Sequence, residues 1–248
     1  MIRTFFTVIF IALAVLISIP ITIVFWSINK AHPKSTDVIC LRYAQTILKI
    51  LLLIAGTQVT VLGEENIPKG EAVLYVPNHR SFYDILITYS RVPSLTGYVA
   101  KESIGNIPLI STWFSLLYCL PLSRSDTRKA LKTILTGIEF LKQGISICIF
   151  PEGTRSHGKD LLPFHEGSMK LAEKSGCAII PVAISNSDEI FEKHMPTIKS
   201  CHVTVEYGTP IRISELPKEN KKFIGAYTKT KIEEMLAGHK ALPEGALK

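Results

Sequence analysis

From Thr4 to Ser27 the chain carries no charged residue, and most positions are Ile, Val, Leu, Phe or Ala. A helix needs about 20 apolar residues to cross a hydrocarbon core of ~30 Å, so this run predicts an N-terminal hydrophobic helix long enough to span a membrane. Pro20 inside it predicts a kink, and Trp26 stands near the far end, where interfacial aromatics collect. The competing reading is a cleaved signal peptide. Its apolar stretch would run to only about 7–15 residues and close on a small-residue site. This run is longer, and no A-x-A closes it before Lys30. Arg3 flanks one side, and Lys30, Lys34 and Arg42 flank the other. The excess of positive charge places the following domain on the cytoplasmic side of an inner membrane.

A second apolar stretch, Val38 to Ala55, is interrupted by Arg42 and Lys49. It reads as an amphipathic helix at the interface or against the anchor, or equally as a buried core helix. Residues 1–55 are thus expected to form membrane-anchoring helices, and residues 56–248 a globular domain.

Beyond Gly56 the pattern changes to short apolar runs separated by helical periodicity. Segments 57–62, 72–77, 95–101, 145–150, 178–185 and 201–208 read as strands. The run 145–150 is continuously apolar, as in a strand buried on both faces. Asp126 looks like an N-cap, and Leu131, Ile134, Leu135, Ile138 and Leu141 follow at helical spacing until Gly144. A Lys-rich helix from about Lys218 to Ala237 closes the pattern. Strands alternating with helices predict an α/β fold, a mostly parallel or mixed sheet flanked by helices, behind the N-terminal anchor.

Charge narrows the partners. The formal net charge is +7 over 248 residues, which suits nucleic acid, an anionic membrane surface or a phosphorylated substrate. The basic residues are spread rather than striped and no nucleic-acid motif is present, so nucleic acid is not expected. Cys40, Cys119, Cys148, Cys177 and Cys201 include no C-x-x-C pair, and the seven His show no paired ligand spacing. Neither a disulfide framework nor a metal site is expected.

Two segments carry chemistry. Asn78-His79-Arg80-Ser81-Phe82-Tyr83-Asp84 directly follows the strand 72–77. Five residues on a helix turn through about 500°, leaving His79 and Asp84 about 140° apart. They meet only if His79 lies in a loop and Asp84 in the first turn of the next helix. Asp84 then fixes one imidazole nitrogen and leaves the other as a base. A capping box, Ser81-x-x-Asp84, is the alternative that requires no chemistry. Phe150-Pro151-Glu152-Gly153-Thr154-Arg155-Ser156 follows the strand 145–150. Gly153 permits close backbone approach, and Thr154, Arg155 and Ser156 supply donors suited to phosphate. Glu152 holds either Arg155 or a neighbouring amide. An ordinary turn with a surface ion pair is the plain alternative.

These blocks resemble the H-x-x-x-x-D and E-G-T-R motifs of the glycerolipid acyltransferases, which they also match in separation, about seventy residues. Lys101 and Glu102 leading to Ile107-Pro108, Leu122-Ser123-Arg124, Pro163-Phe164-His165-Glu166-Gly167 and Ile180-Pro181-Val182 resemble lesser blocks of the same family. Ser123 departs from the usual Asp before Arg124. The resemblance covers roughly residues 57–210 and is greatest to the bacterial 1-acyl-sn-glycerol-3-phosphate acyltransferases. It implies transfer of a fatty acyl group from acyl-CoA or acyl-carrier protein, with no cofactor, to a lysophospholipid acceptor in the lipid bilayer. Glycerol 3-phosphate, another lysophospholipid or a lyso-aminolipid is the alternative acceptor. His79 would be the base, Asp84 its orienting partner, and Arg155 the phosphate ligand, assisted by amides near Gly153 and Thr154 and by Glu152. Lys101 and Arg124 would be secondary ligands for the phosphate or the oxyanion.

Overall fold

In the computed structural model, which describes residues 1–158 and 160–241, the first apolar run is one helix, α1 (Ile2–Ala31). The helix continues through Pro20, and the Ser18 and Thr22 hydroxyls donate to the carbonyls of Val15 and Ser18 at 2.8 and 2.5 Å. Phe5, Phe6, Leu16, Ile17 and Ile23 are all exposed. An apolar face of this extent is stable only against another apolar phase, which suits association with a membrane. It is long and apolar enough to cross one. It is also docked onto the rest of the chain. Near one end Thr4 Oγ1 accepts from the Ile198 amide at 2.9 Å, and near the other Phe25 packs edge-on against Tyr43 and Trp113.

The second run forms α2 (Asp37–Ala55), which packs on α1 by one face and on the domain by another. Leu41, Leu52 and Ala55 enter the core, while the Gln45 amide donates to the carbonyls of Val92 and Tyr89 at 2.8 and 3.3 Å. Residues 37–55 therefore combine two of the expected roles, packing on the anchor and lining the core.

The remaining elements are, in order, β1 (Gln58–Leu62), β2 (Val73–Pro77), α3 (Tyr83–Tyr89), β3 (Thr96–Lys101), α4 (Glu102–Gly105), α5 (Pro108–Leu116), β4 (Leu120–Leu122), α6 (Thr127–Lys142), β5 (Ser146–Cys148), α7 (Glu166–Ser175), β6 (Ala178–Ser185), β7 (His202–Tyr207), α8 (Lys218–Lys222) and α9 (Ile224–Ala241). The seven strands form one mixed sheet in the order β1-β7-β6-β2-β5-β3-β4. Neighbours are parallel throughout except at β6–β7, which is antiparallel. Asp126 caps α6 by accepting from the amides of Arg128 and Lys129 at 2.9 and 3.1 Å.

The sheet is covered on both faces, which is why its central strands are continuously apolar. Val73 and Tyr75 of β2 face one core cluster with Ile87 of α3 and Leu41 and Leu52 of α2. Leu74 and Val76 face the other, with Ile138 of α6, Leu171 of α7 and Ile232 of α9. Three departures from expectation have local causes. β4 is only three residues long, too short to show a period, and follows Tyr118 in the left-handed region at φ 57°. β5 is confined to 146–148: the Ile149 amide still donates to the Tyr75 carbonyl at 3.0 Å, and the turn closed by the Gly153 amide on the Phe150 carbonyl begins directly after it. The C-terminal helix is two helices, broken at Phe223, whose backbone (φ −132°, ψ 57°) is not helical.

β2 and β5 are adjacent and parallel, so the loops leaving their C-terminal ends emerge side by side, at a strand spacing of about 4.8 Å. Chain segments remote in sequence thereby meet at the edge where α/β sheets place ligands.

Candidate active site

The loop after β2 is pinned by Asn78, a residue whose importance no sequence pattern singled out. Its side chain copies a backbone ladder, accepting from the Ile184 amide at 2.8 Å and donating to the Ile184 carbonyl at 3.0 Å. His79 follows in the loop, and Asp84 is the second residue of α3. Asp84 is fully buried. Its Oδ2 accepts from three N–H groups: His79 Nδ1 at 2.9 Å, the Arg80 amide at 2.7 Å and the Ser81 amide at 2.8 Å. A carboxylate in that position assigns the proton to Nδ1 and leaves the Nε2 lone pair free. The imidazole packs on Phe150, ring centroids 4.2 Å apart. The capping contact and the histidine contact are not alternatives, because the one carboxylate makes both.

The loop after β5 grips His79 by its backbone. Glu152 is buried; its Oε1 accepts from the His79 amide at 2.7 Å and its Oε2 from the Leu162 amide at 2.9 Å. Burial pushes this carboxyl above its ordinary range, and the two amides oppose the shift. Ser156 completes the grip, its amide and hydroxyl donating to the His79 carbonyl at 2.8 and 3.2 Å. Of the two expected partners for Glu152, the structure shows the amide and not Arg155. Both carboxylate oxygens are engaged inside the protein, which sets Glu152 behind the histidine rather than facing a substrate.

Gly153 turns the loop at φ 69°, and its amide donates to the Phe150 carbonyl at 3.1 Å. That amide therefore closes the turn, whereas Thr154 is exposed at the loop surface. A Cβ on Gly153 would lie 3.2 Å from two atoms of the His165 ring. Gly153→Ala is accordingly expected to cost about 1–2 kcal/mol through left-handed strain and displacement of His165. Chemical denaturation of the variant beside wild type measures it.

Arg155 reaches the same cluster from the other side. Its Nη1 donates to Glu192 Oε1 at 3.0 Å, and its guanidinium lies 3.6 Å above the Phe82 ring. Glu192 was not legible beforehand. It stands in a short 3-10 turn (Glu192–His194) after β6, with no motif around it, and only the fold carries it to this place. Lys101 ends β3 and Arg124 follows β4, so both stand at the same edge of the sheet, exposed. Among the described residues neither hydrogen-bonds to the His79–Arg155 cluster.

Other nucleophiles are suppressed. Ser81 Oγ donates to Glu192 Oε2 at 2.6 Å. All five cysteines are free thiols; burial raises Cys119 to about 11 and holds Cys148, at the end of β5, well above its usual range.

Comparison with known proteins addresses the same segments. Residues 58–185 match the Acyltransferase family. The chain is 34% identical over 176 residues to the 1-acyl-sn-glycerol-3-phosphate acyltransferase of Borreliella burgdorferi, covering 70% of each protein. It is 33% identical over 165 residues to that of Escherichia coli, covering 66% of each. The crystal structure of the 1-acyl-sn-glycerophosphate acyltransferase from Thermotoga maritima has the same fold, with a TM-score of 0.76 at 22% identity over 97% of this chain and 99% of that one. A family match that begins at β1, ends at β6 and encloses both loops at the sheet edge makes this chain a member of the acyltransferase family and an acyl-transferring enzyme.

Proposed function

We propose that the protein transfers a fatty acyl group from the thioester of acyl-CoA or acyl-carrier protein to the free sn-2 hydroxyl of 1-acyl-glycerol 3-phosphate, forming phosphatidic acid. The observation that carries this reading is the His79–Asp84 pair, with one imidazole nitrogen held at 2.9 Å by a buried carboxylate, beside the cationic Arg155. The names of the sequence relatives supply the acceptor class.

His79 Nε2 takes the proton of the acceptor hydroxyl as its oxygen attacks the thioester carbon. The tetrahedral intermediate collapses with cleavage of the C–S bond, and the thiolate leaves with the proton from the imidazolium. Asp84 balances the imidazolium charge through Nδ1. Direct transfer needs no acyl-enzyme, in keeping with the engaged Ser81 hydroxyl and the buried thiols. Arg155 takes the acceptor phosphate through the guanidinium nitrogens that Glu192 leaves free, with exposed Lys101 and Arg124 as secondary cations for phosphate or oxyanion. The α1 surface keeps the site at the bilayer where lysolipid and product reside, on the cytoplasmic side by the distribution of Lys30, Lys34 and Arg42.

Arg155→Ala is expected to raise the KM for 1-acyl-glycerol 3-phosphate roughly thirtyfold, the value of a charge-assisted hydrogen bond. The KM for monoacylglycerol, which lacks the phosphate, serves as the comparison. Equal effects on both acceptors would remove Arg155 from phosphate recognition.

A further inference from the structure

Glu192 gathers three donors onto one carboxylate that is almost wholly buried. Its Oε2 accepts from the Ser81 hydroxyl at 2.6 Å, and its Oε1 from both the Phe82 amide at 2.8 Å and Arg155 Nη1 at 3.0 Å. Two of these donors belong to the histidine loop and the third to the arginine loop. The carboxylate is thus a tie between them, separate from the Glu152 and Ser156 contacts that hold the His79 backbone. Phe82 contributes twice: its amide binds Glu192, and its ring lies under the Arg155 guanidinium, 3.6 Å away.

An arginine side chain left to itself loses rotamer entropy when a ligand fixes it. Here one guanidinium nitrogen is already bound and one guanidinium face is already covered. Among the described residues Nε and Nη2 make no hydrogen bond and lie in a plane set by the protein, alongside the loop that carries His79. We infer that Glu192 is a positioning residue for recognition of the acceptor's phosphate: it acts through Arg155, fixing where the phosphate sits relative to His79. This inference rests on the phosphate role proposed for Arg155.

Reach and charge are separable at this position. Glu192→Asp keeps the charge and withdraws the carboxylate by one methylene, so it cannot span Ser81, Phe82 and Arg155 together. Glu192→Gln keeps the reach without the charge. Both are conservative enough to fold, which thermal melts verify. With the full-length protein in phosphatidylcholine vesicles, Glu192→Asp is expected to raise the KM for 1-acyl-glycerol 3-phosphate roughly tenfold, with a smaller loss in kcat, and Glu192→Gln about threefold. In an Arg155→Ala background Glu192→Asp should add no further rise, because the residue through which it acts is gone. A KM unchanged or lowered in Glu192→Asp overturns the inference, since Glu192 would then only repel the phosphate or do nothing to it. So does an equal rise in the Arg155→Ala background, which is the mark of a purely structural tie. If Arg155→Ala itself leaves this KM unchanged, the phosphate reading fails and the inference fails with it, an outcome distinct from the other two.

Discussion

Replacing His79 by alanine is expected to lower kcat by about three orders of magnitude while leaving the fold and lysolipid binding in place. Loss of a positioned general base removes a factor of about 10²–10⁴, and among the described residues no other side-chain base hydrogen-bonds to Asp84. The structure explains why the protein should survive the change. His79's peptide contacts with Glu152 and Ser156 do not involve its ring. Asp84 keeps two of its three donors, the amides of Arg80 and Ser81. The ring itself lies over Phe150 at the edge of the sheet rather than in either core cluster. Steady-state kinetics with equilibrium binding of labelled lysolipid separates the two effects. Lost binding with a normal kcat at saturation would contradict the assignment.

Glu152→Ala is expected to have the largest effect on stability. It deprives two N–H groups, those of His79 and Leu162, of their acceptor at a buried site. Each buried unsatisfied donor costs about 1–3 kcal/mol, so the total is roughly 2–6 kcal/mol, against a typical domain stability of about 5–15 kcal/mol. For a chain of this size that corresponds to a fall in melting temperature on the order of 10 °C. Turnover should fall even at temperatures where the variant is folded, because the same bond fixes the His79 backbone. Calorimetry and kinetics below the transition test both parts. A melting temperature within a degree or two of wild type would mean that Glu152 does not support this loop.

Much of this was legible in the chain. The apolar run of α1, the strand 178–185 and the cap at Asp126 follow from local chemistry and stand where expected. The five-residue interval from His79 to Asp84 demanded a loop followed by a helix, and α3 begins at Tyr83. What was hidden depends on the sheet order. Nothing near Glu152 in sequence shows that its carboxylate binds the His79 amide, because that contact needs β5 beside β2. Asn78 and Glu192 likewise acquire their partners only when β6 lies on the other side of β2. β4 and the break at Phe223 were missed because three residues show no period and because Lys-rich sequence propensity continues across a backbone that turns.

The central claim is transfer of an acyl group to a phosphate-bearing lysolipid with His79 as base. It is tested most directly by incubating the membrane-reconstituted protein with labelled oleoyl-CoA, and separately with labelled oleoyl-acyl-carrier protein, and 1-acyl-glycerol 3-phosphate, beside His79→Ala. Labelled phosphatidic acid carrying the new chain at sn-2, formed by wild type alone with at least one donor, is the predicted result. Product from both proteins, or from neither with either donor, would contradict it.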